Sequence, residues 1–384
     1  MAMSTDLYLD YNGSTPLHPD VLATCQRLFE QDFGNPSAPH AEGLRARARI
    51  ARARALAAAA IGAGQDEIWF TSGGTESNNW ALKSSARVAR GRHFVVSAIE
   101  HKSVLASAEE LVRQGFECTV LGVGEDGAVR AADVERALRP DTFLVSVMAA
   151  NNETGVVQPT RAIGALCRAR GVRFHIDAVC ALGRLALDVR SLACDLLSLS
   201  SHKLYAPKGS GLLYVRQGVE LPPLIHGCGQ QRGMRSGTEN TLAIVGFGRA
   251  LELMQAGLLV PEHPTAELRD QLWTRLEQRF PGCRRNGAGE FLPNTLNVAF
   301  AGAIGADLQA ALARAGISVS AGAAGSGGAP SHVLMAMGLG EERARSSLRF
   351  SLGSRTSPAT IERLIEELGR ALGAAGAQSR VGAA

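Results

Sequence analysis

The chain has 384 residues, 46% of them hydrophobic, and a formal net charge of +4, which is enough length to bury a sizeable core in one large α/β domain and a smaller one. The positive charge is small and dispersed, so no basic tract argues for nucleic acid, and no apolar run reaches the length of about 18 residues needed to span a membrane. The seven cysteines, Cys25, Cys118, Cys167, Cys180, Cys194, Cys228 and Cys283, are odd in number and form no C-x-x-C pair, which argues against a disulfide framework or a structural metal site and fits a reducing cytoplasm.

The first six residues contain no basic segment followed by an apolar core, so neither export nor membrane insertion is expected. Residues 41–60 are rich in helix formers and predict a helix with Leu44, Ala48, Ala51 and Ala55 on its apolar stripe and Arg45, Arg49 and Arg52 in solvent. A strand is expected over Glu67–Thr71, then the turn Ser72-Gly73-Gly74-Thr75 and a helix through Arg90. Apolar runs starting at His93, Phe116, Phe143, Val172, Asp195 and Gly211 follow, the earlier ones separated by helical stretches. That alternation predicts a mostly parallel sheet covered by helices. Gly122-Val123-Gly124-Glu125-Asp126-Gly127 has a dinucleotide-binding spacing. Its two carboxylates would face a pyrophosphate, and Asp126-Gly127 signals a reverse turn instead. Pro261 and Pro264 mark a junction. Beyond it, a helix at 265–280, a strand at Thr295–Phe300, a helix at 305–315, a small-residue loop at 320–329 and a strand at Ser347–Ser351 predict a smaller α+β domain. The last ten residues are expected to be frayed.

Lysine is scarce in this chain. Only Lys83, Lys102, Lys203 and Lys208 occur among 40 basic residues, so arginine serves nearly everywhere that charge alone is needed. A guanidinium stays protonated, whereas a desolvated amine can lose its proton and attack a carbonyl. Lys203, in Ser200-Ser201-His202-Lys203, is thereby a candidate covalent anchor for pyridoxal 5'-phosphate. The phosphate of that cofactor needs backbone N–H groups at a helix start and small donors. Gly74 and Thr75 offer them, as do Ser200 and His202, although an ordinary helix cap accounts for Thr75 equally well. The pyridinium nitrogen needs a carboxylate. Asp177 ends a buried apolar run, where an unpaired carboxylate is costly, and it reads either as that partner or as a cap of the next helix. His101 stands where an imidazole could stack on the ring and move protons, or be a hydrogen-bonded loop histidine. Arg349 alternates with apolar residues and suits a substrate carboxylate or an ion pair, while Asn12 and Asn152 are amide donors in turn-like segments.

Taken together these runs resemble the NifS/IscS-type cysteine desulfurases, class V members of the fold-type I pyridoxal-phosphate enzymes. The resemblance covers nearly the whole chain and rests on Tyr8-Leu9-Asp10-Tyr11-Asn12, Gly34-Asn35-Pro36-Ser37, Thr71-Ser72-Gly73-Gly74-Thr75-Glu76-Ser77-Asn78-Asn79, Glu100-His101-Lys102, Asn151-Asn152-Glu153-Thr154-Gly155, Asp177-Ala178-Val179, Ser201-His202-Lys203, Arg235-Ser236-Gly237-Thr238, Ser331-His332-Val333-Leu334 and Arg349-Phe350-Ser351. It implies a large cofactor-binding α/β domain of residues 15–258 and a small α+β domain of residues 1–14 plus 259–384. It also implies Lys203 as the cofactor lysine, Asp177 at the ring nitrogen, His101 stacked on the ring, and Thr75, Ser200 and His202 at the phosphate. Thr238 would reach in from the partner subunit of a homodimer, and Arg349, Asn152 and Asn12 would hold the substrate, L-cysteine or a close analogue.

The departures from the family pattern matter as much. Members carry a mobile loop whose cysteine attacks the substrate sulfur, but here the corresponding segment is Ser320-Ala321-Gly322-Ala323-Ala324-Gly325-Ser326-Gly327-Gly328. Gly325 or Ala323 stands at the cysteine position, depending on the end from which the loop is aligned. Cysteines stand instead at Cys180, where the family has a glutamine, and at Cys228, within a glycine run. Three readings are therefore open: a desulfurase whose sulfur goes to Cys180, Cys228 or directly to an acceptor protein; a C–S or C–Se lyase or sulfinate-eliminating enzyme that needs no persulfide; and a non-catalytic partner of a sulfur-transfer system.

Overall fold

The computed structural model describes residues 7–259, 263–322 and 329–381. Its larger sheet has seven strands: β1 (Ile68–Thr71), β2 (His93–Ser97), β3 (Glu117–Leu121), β4 (Thr142–Ser146), β5 (Arg173–Asp177), β6 (Leu196–Ser200) and β7 (Gly211–Val215). They lie in the order β1-β7-β6-β5-β4-β2-β3. Strands β2 to β6 pair in parallel, and β7 runs antiparallel between β6 and β1. The expected mostly parallel sheet is present.

Alternation along each strand feeds two apolar layers. Val95, Phe174, Ile176, Leu197, Leu199 and Leu212 pack on one face with α1 (Pro19–Gln31), α2 (Ala41–Ala60), α6 (Thr160–Ala169) and α7 (Thr241–Gln255). Phe94, Val96, Leu144, Leu196 and Leu213 pack on the other with α3 (Gly74–Arg87) and α4 (Lys102–Arg113), while the short α5 spans Ala131–Ala137. The arginines Arg45, Arg49 and Arg52 of α2 are in solvent as expected, but its apolar stripe is not the one expected. Gly43, Ala46, Ile50, Ala53 and Ala57 are buried, whereas Leu44 is 50% exposed and Ala48 and Ala51 also face out. Close helix packing selects the smallest side chains: a Cβ on Gly248 of α7 would lie 2.7 Å from Ala53 Cβ, so this seam has no room for leucine. The segment 122–127 is a turn, closed by Gly127 N–H donating to Gly124 O at 2.9 Å.

A second sheet has the order β10-β9-β8, from β8 (Arg284–Arg285), β9 (Thr295–Ala299) and β10 (Ser347–Ser351), and is antiparallel throughout. Leu296, Val298, Leu348 and Phe350 turn one of its faces into a core with α8 (Thr265–Arg279), α9 (Gly305–Arg314) and α12 (Pro358–Val381). Leu9 joins that core, and Asp10 bridges to Ser351. Period-two alternation sends Arg349 to the opposite face, toward the larger sheet. The tail expected to fray continues α12 through Val381. Two short helices, α10 (His332–Ala336) and α11 (Glu341–Arg345), lie between β9 and β10 in sequence. Among the described residues no helix is long and apolar enough to cross a membrane, and no cluster of side chains suits a metal ion.

Candidate active site

Strands β1, β2, β4, β5 and β6 all end on one edge of the larger sheet, where open α/β sheets place their ligand crevices. A cavity of about 300 Å³ lies there. Asn12, Gly74, Thr75, His101, Asn152, Asp177, Cys180, Ser200, His202, Lys203 and Arg349 all line it, although the chain order scatters them over more than three hundred positions. The sheet edge and β10 bring them together. Thr238 and Cys228 do not line it; both are exposed on the segment before α7. Gly325 and Ala323 lie outside the described residues.

Lys203 follows β6 in a single 3₁₀ turn, and its Nζ donates to the carbonyl oxygens of Asn12 and, at 2.8 Å, Gly13. Burial pushes this amine below its ordinary pKa, and Arg349 and Arg184 push the same way against the opposing effect of Cys180. The amine is thus desolvated as a carbonyl-attacking lysine requires. Asp177 closes β5 at 5% exposure. Its Oδ2 accepts from Asn78 Nδ2 at 2.7 Å and its Oδ1 from Val179 N–H at 3.0 Å; the second contact closes a turn, and among the described residues no helix lies between β5 and β6 for it to cap. His101 caps α4: its Nδ1 accepts from Ser103 N–H at 3.1 Å and meets Ser103 Oγ at 2.8 Å. A ring nitrogen that accepts from a backbone N–H carries no proton of its own, so in the neutral ring the proton is on Nε2.

Helix α3 starts after Gly73, with no side chain capping its first turn. Its leading N–H groups are therefore available to an anion. Gly73 has φ +153°, and a Cβ on Gly211 of the adjacent strand would lie 2.6 Å from the Gly73 Cα, so only glycine fits where this loop crosses the sheet. His202 sits beside Ser14 Oγ at 3.3 Å, and burial, followed by the charges of Lys203 and Lys208, lowers its pKa to about 4. It is a neutral donor or acceptor at ordinary pH. Arg349 is 4% exposed. It donates from Nη1 to Asn152 O at 3.0 Å and from Nη2 to Asp10 Oδ1 at 2.6 Å, while its buried Nε has no partner among the described residues. Asn12 lines the cleft with its side chain engaged. Its Nδ2 already serves Asn152 O at 3.1 Å and Thr295 Oγ1 at 2.8 Å, and its Oδ1 accepts from Asn294 at 3.1 Å, so its side chain ties β9 to the cleft floor.

The donor set fits pyridoxal 5'-phosphate: a desolvated amine, a buried carboxylate behind it, an uncapped helix start and a forked cation with one free N–H. Sequence reasoning assigned no role to Asp10, Asn78, Glu153 or His332, which touch or line the same site. Asn78 lies four residues beyond Gly74, on the same helix face, and that spacing was the available signal.

The class-V aminotransferase family model matches residues 7–364. The chain is 40% identical over 373 residues to the cysteine desulfurase IscS of Clostridium botulinum, covering 95% of this chain and 94% of that protein. It is 41% identical over 378 residues to the cysteine desulfurase IscS of Dictyoglomus turgidum, covering 95% and 96%. Among solved structures it resembles a NifS-like protein with a TM-score of 0.89 at 35% identity, over 96% of this chain and 99% of that one. It also resembles SspA in complex with cysteine, with a TM-score of 0.81 at 38% identity, over 91% and 99%.

Proposed function

The chain belongs to the class-V aminotransferase family, and on that premise we propose that it is a pyridoxal 5'-phosphate-dependent cysteine desulfurase, taking sulfur from L-cysteine and leaving alanine. The observation that carries this reading is the convergence of Lys203, Asp177, His101 and Arg349 on one cleft. When bound, the cofactor supplies a carbonyl for the substrate amine and an electron sink for its Cα. Arg349 orients the substrate through its carboxylate, using the free Nε and exchanging the Asp10 contact. Lys203 Nζ, with its pKa lowered by burial, takes the Cα proton, and His101, which would stack on the ring, has Nε2 left to move protons. Asp177, held by Asn78, keeps the ring nitrogen protonated.

Thr238 is exposed and outside its own chain's cleft, which supports its expected role in the cleft of a second copy. The packing of Leu9 with residues 268–368 supports the division into a large unit of residues 15–258 and a small unit of 1–14 plus 259–384. Of the two cysteines considered as sulfur acceptors, Cys180 lines the cleft and Cys228 is exposed away from it.

Purified protein supplied with the cofactor should be yellow, and Lys203→Ala should be colourless. With L-cysteine and a reductant the products should be alanine and sulfide. Pyruvate and ammonia would instead mark a β-eliminating lyase, and a wild-type protein that stays colourless would sink the enzymatic reading altogether.

A further inference from the structure

His332 lines the active-site cleft at the start of α10. Its Nε2 lies 3.0 Å from the carbonyl oxygen of Glu100, and because a carbonyl can only accept, Nε2 carries the ring proton. In the neutral ring the lone pair is therefore on Nδ1, which is shut off from bulk solvent and has no partner among the described residues. The neighbouring Ser331 Oγ donates to Glu153 Oε2 at 2.5 Å and accepts from Leu334 N–H at 3.2 Å, which fixes this end of the cleft. Glu153 is 1% exposed and lines the same cavity, and its Oε1 is equally without a donor. Two buried acceptors lacking donors are costly unless something with an acidic hydrogen satisfies them.

The thiol inventory indicates what that something is. No cysteine occurs beyond Cys283, so segment 320–329 brings none to the cleft. Of the seven cysteines, Cys180 alone lines the cavity formed by the described residues, at 6% exposure and close enough to Lys203 to act on its charge. At that burial a persulfide on Cys180 would offer an acceptor little surface.

We infer that the sulfur acceptor is a diffusing thiol that enters the cleft from outside the chain, and that His332 Nδ1 is the base that takes its proton. The inference rests on the desulfurase reading above. The acceptor sulfur, deprotonated by Nδ1, attacks the substrate sulfur, and the Cβ–S electron pair passes to Cβ, which gains a proton to become the methyl group of alanine. One thiol and L-cysteine give alanine and one persulfide, with carbon reduced and the two sulfurs oxidised, so no further oxidant or reductant is consumed. The titratable and charged groups sharing this cleft with His332 are Glu100, His101, Lys102, Glu153, Asp177, Cys180, His202, Lys203 and Arg349.

The test uses cofactor-loaded enzyme, L-cysteine and two thiols, 2-mercaptoethanol and the more acidic trifluoroethanethiol. Alanine formation by the wild type should rise with thiol concentration, and mass spectrometry should find the persulfide on the small thiol. His332→Gln, which keeps a donor for Glu100 O, should lose about 10²-fold in turnover with 2-mercaptoethanol at neutral pH. It should lose much less with trifluoroethanethiol or at alkaline pH, because a thiol already ionised needs no base. His332→Asn should behave alike, and binding of L-cysteine, followed by its effect on the visible spectrum, should be unchanged in both variants. NMR of labelled histidine in the cofactor-free chain should find the His332 proton on Nε2. A proton on Nδ1, an equal loss with both thiols, or a persulfide that builds up on Cys180 regardless of added thiol would each overturn the inference while leaving desulfuration intact. Absence of alanine under every condition would remove the desulfurase reading itself.

Discussion

Asp177 and His101 are joined by side-chain hydrogen bonds. Asn78 Nδ2 donates to Asp177 Oδ2 at 2.7 Å and to Ser103 Oγ at 2.9 Å, and Ser103 Oγ meets His101 Nδ1 at 2.8 Å. Since Nδ1 is an acceptor, the serine hydroxyl donates onward to the imidazole, and both amide hydrogens of Asn78 are used. The carboxylate that would hold the cofactor's ring nitrogen and the imidazole that would stack on its ring are thus set by one asparagine. Asn78→Ala should weaken cofactor binding about tenfold, the effect of losing one hydrogen bond to a charged group. Titrating cofactor-free protein with pyridoxal 5'-phosphate measures this, and an unchanged dissociation constant would show that Val179 N–H alone holds Asp177 in place.

Arg349 meets Asp10 and the Asn152 carbonyl through its two terminal nitrogens, so its plane is fixed before substrate arrives. Arg349→Ala should raise KM for L-cysteine about 10²-fold, from the loss of a buried charge-assisted contact. Arg349→Lys should recover little, because an ammonium cannot hold the Asn152 carbonyl and a carboxylate together in one plane. Steady-state alanine formation against L-cysteine concentration distinguishes the cases.

The strands and several residues that line the cleft were legible in the sequence because each has a local signature. Asp177 ends an apolar run, Arg349 alternates with apolar neighbours, and Lys203 is a rare amine. What escaped was set by contacts between distant segments. The buried stripe of α2 falls on Ala46, Ile50 and Ala53 rather than on Leu44 because α7 approaches through Gly248, and a helix wheel contains no information about its neighbour. The contacts of Asn12 with Asn294 and Thr295, nearly three hundred residues away, have no trace in the sequence around it. His332 and Glu153 have no pattern of their own. They stand out only because buried atoms lack partners, a property of the fold.

Gln231 pins the segment before α7 to the sheet edge. Its Oε1 accepts from Phe70 N–H at 2.7 Å and its Nε2 donates to Phe70 O at 2.6 Å, as a neighbouring strand would on the open side of β1. Gln231 itself has φ +48°, a left-handed conformation that glutamine adopts at some cost. Gln231→Ala would leave two buried backbone groups of Phe70 unpaired and should cost about 2–4 kcal/mol. Thermal unfolding should show Tm falling by several degrees. If the segment rather than the core carries Thr238 into a second copy's cleft, cofactor affinity should fall as well.

Glu100 is fully buried, with Oε1 accepting from Ser97 Oγ at 2.5 Å and from Met148 N–H at 2.8 Å, and with no partner for Oε2 among the described residues. Burial, aided by the charge of Asp177 and opposed by these hydrogen bonds, raises its pKa to about 8. The unfolded chain ionises this acid near pH 4.3, so below about that pH both states are protonated and Glu100 adds no pH dependence. Between there and about pH 8 the unfolded state has lost the proton and the folded state has kept it, so stability falls with rising pH, by up to about 1.4 kcal/mol per pH unit. Above about pH 8 both states are ionised and the contribution levels off. Glu100→Gln replaces the neutral acid with a neutral isostere and should flatten this slope, making the variant the more stable protein at pH 8 and no more stable at pH 4. Denaturant midpoints across this range decide it. Parallel slopes for the two proteins would mean that Glu100 holds no more proton in the fold than in the unfolded chain.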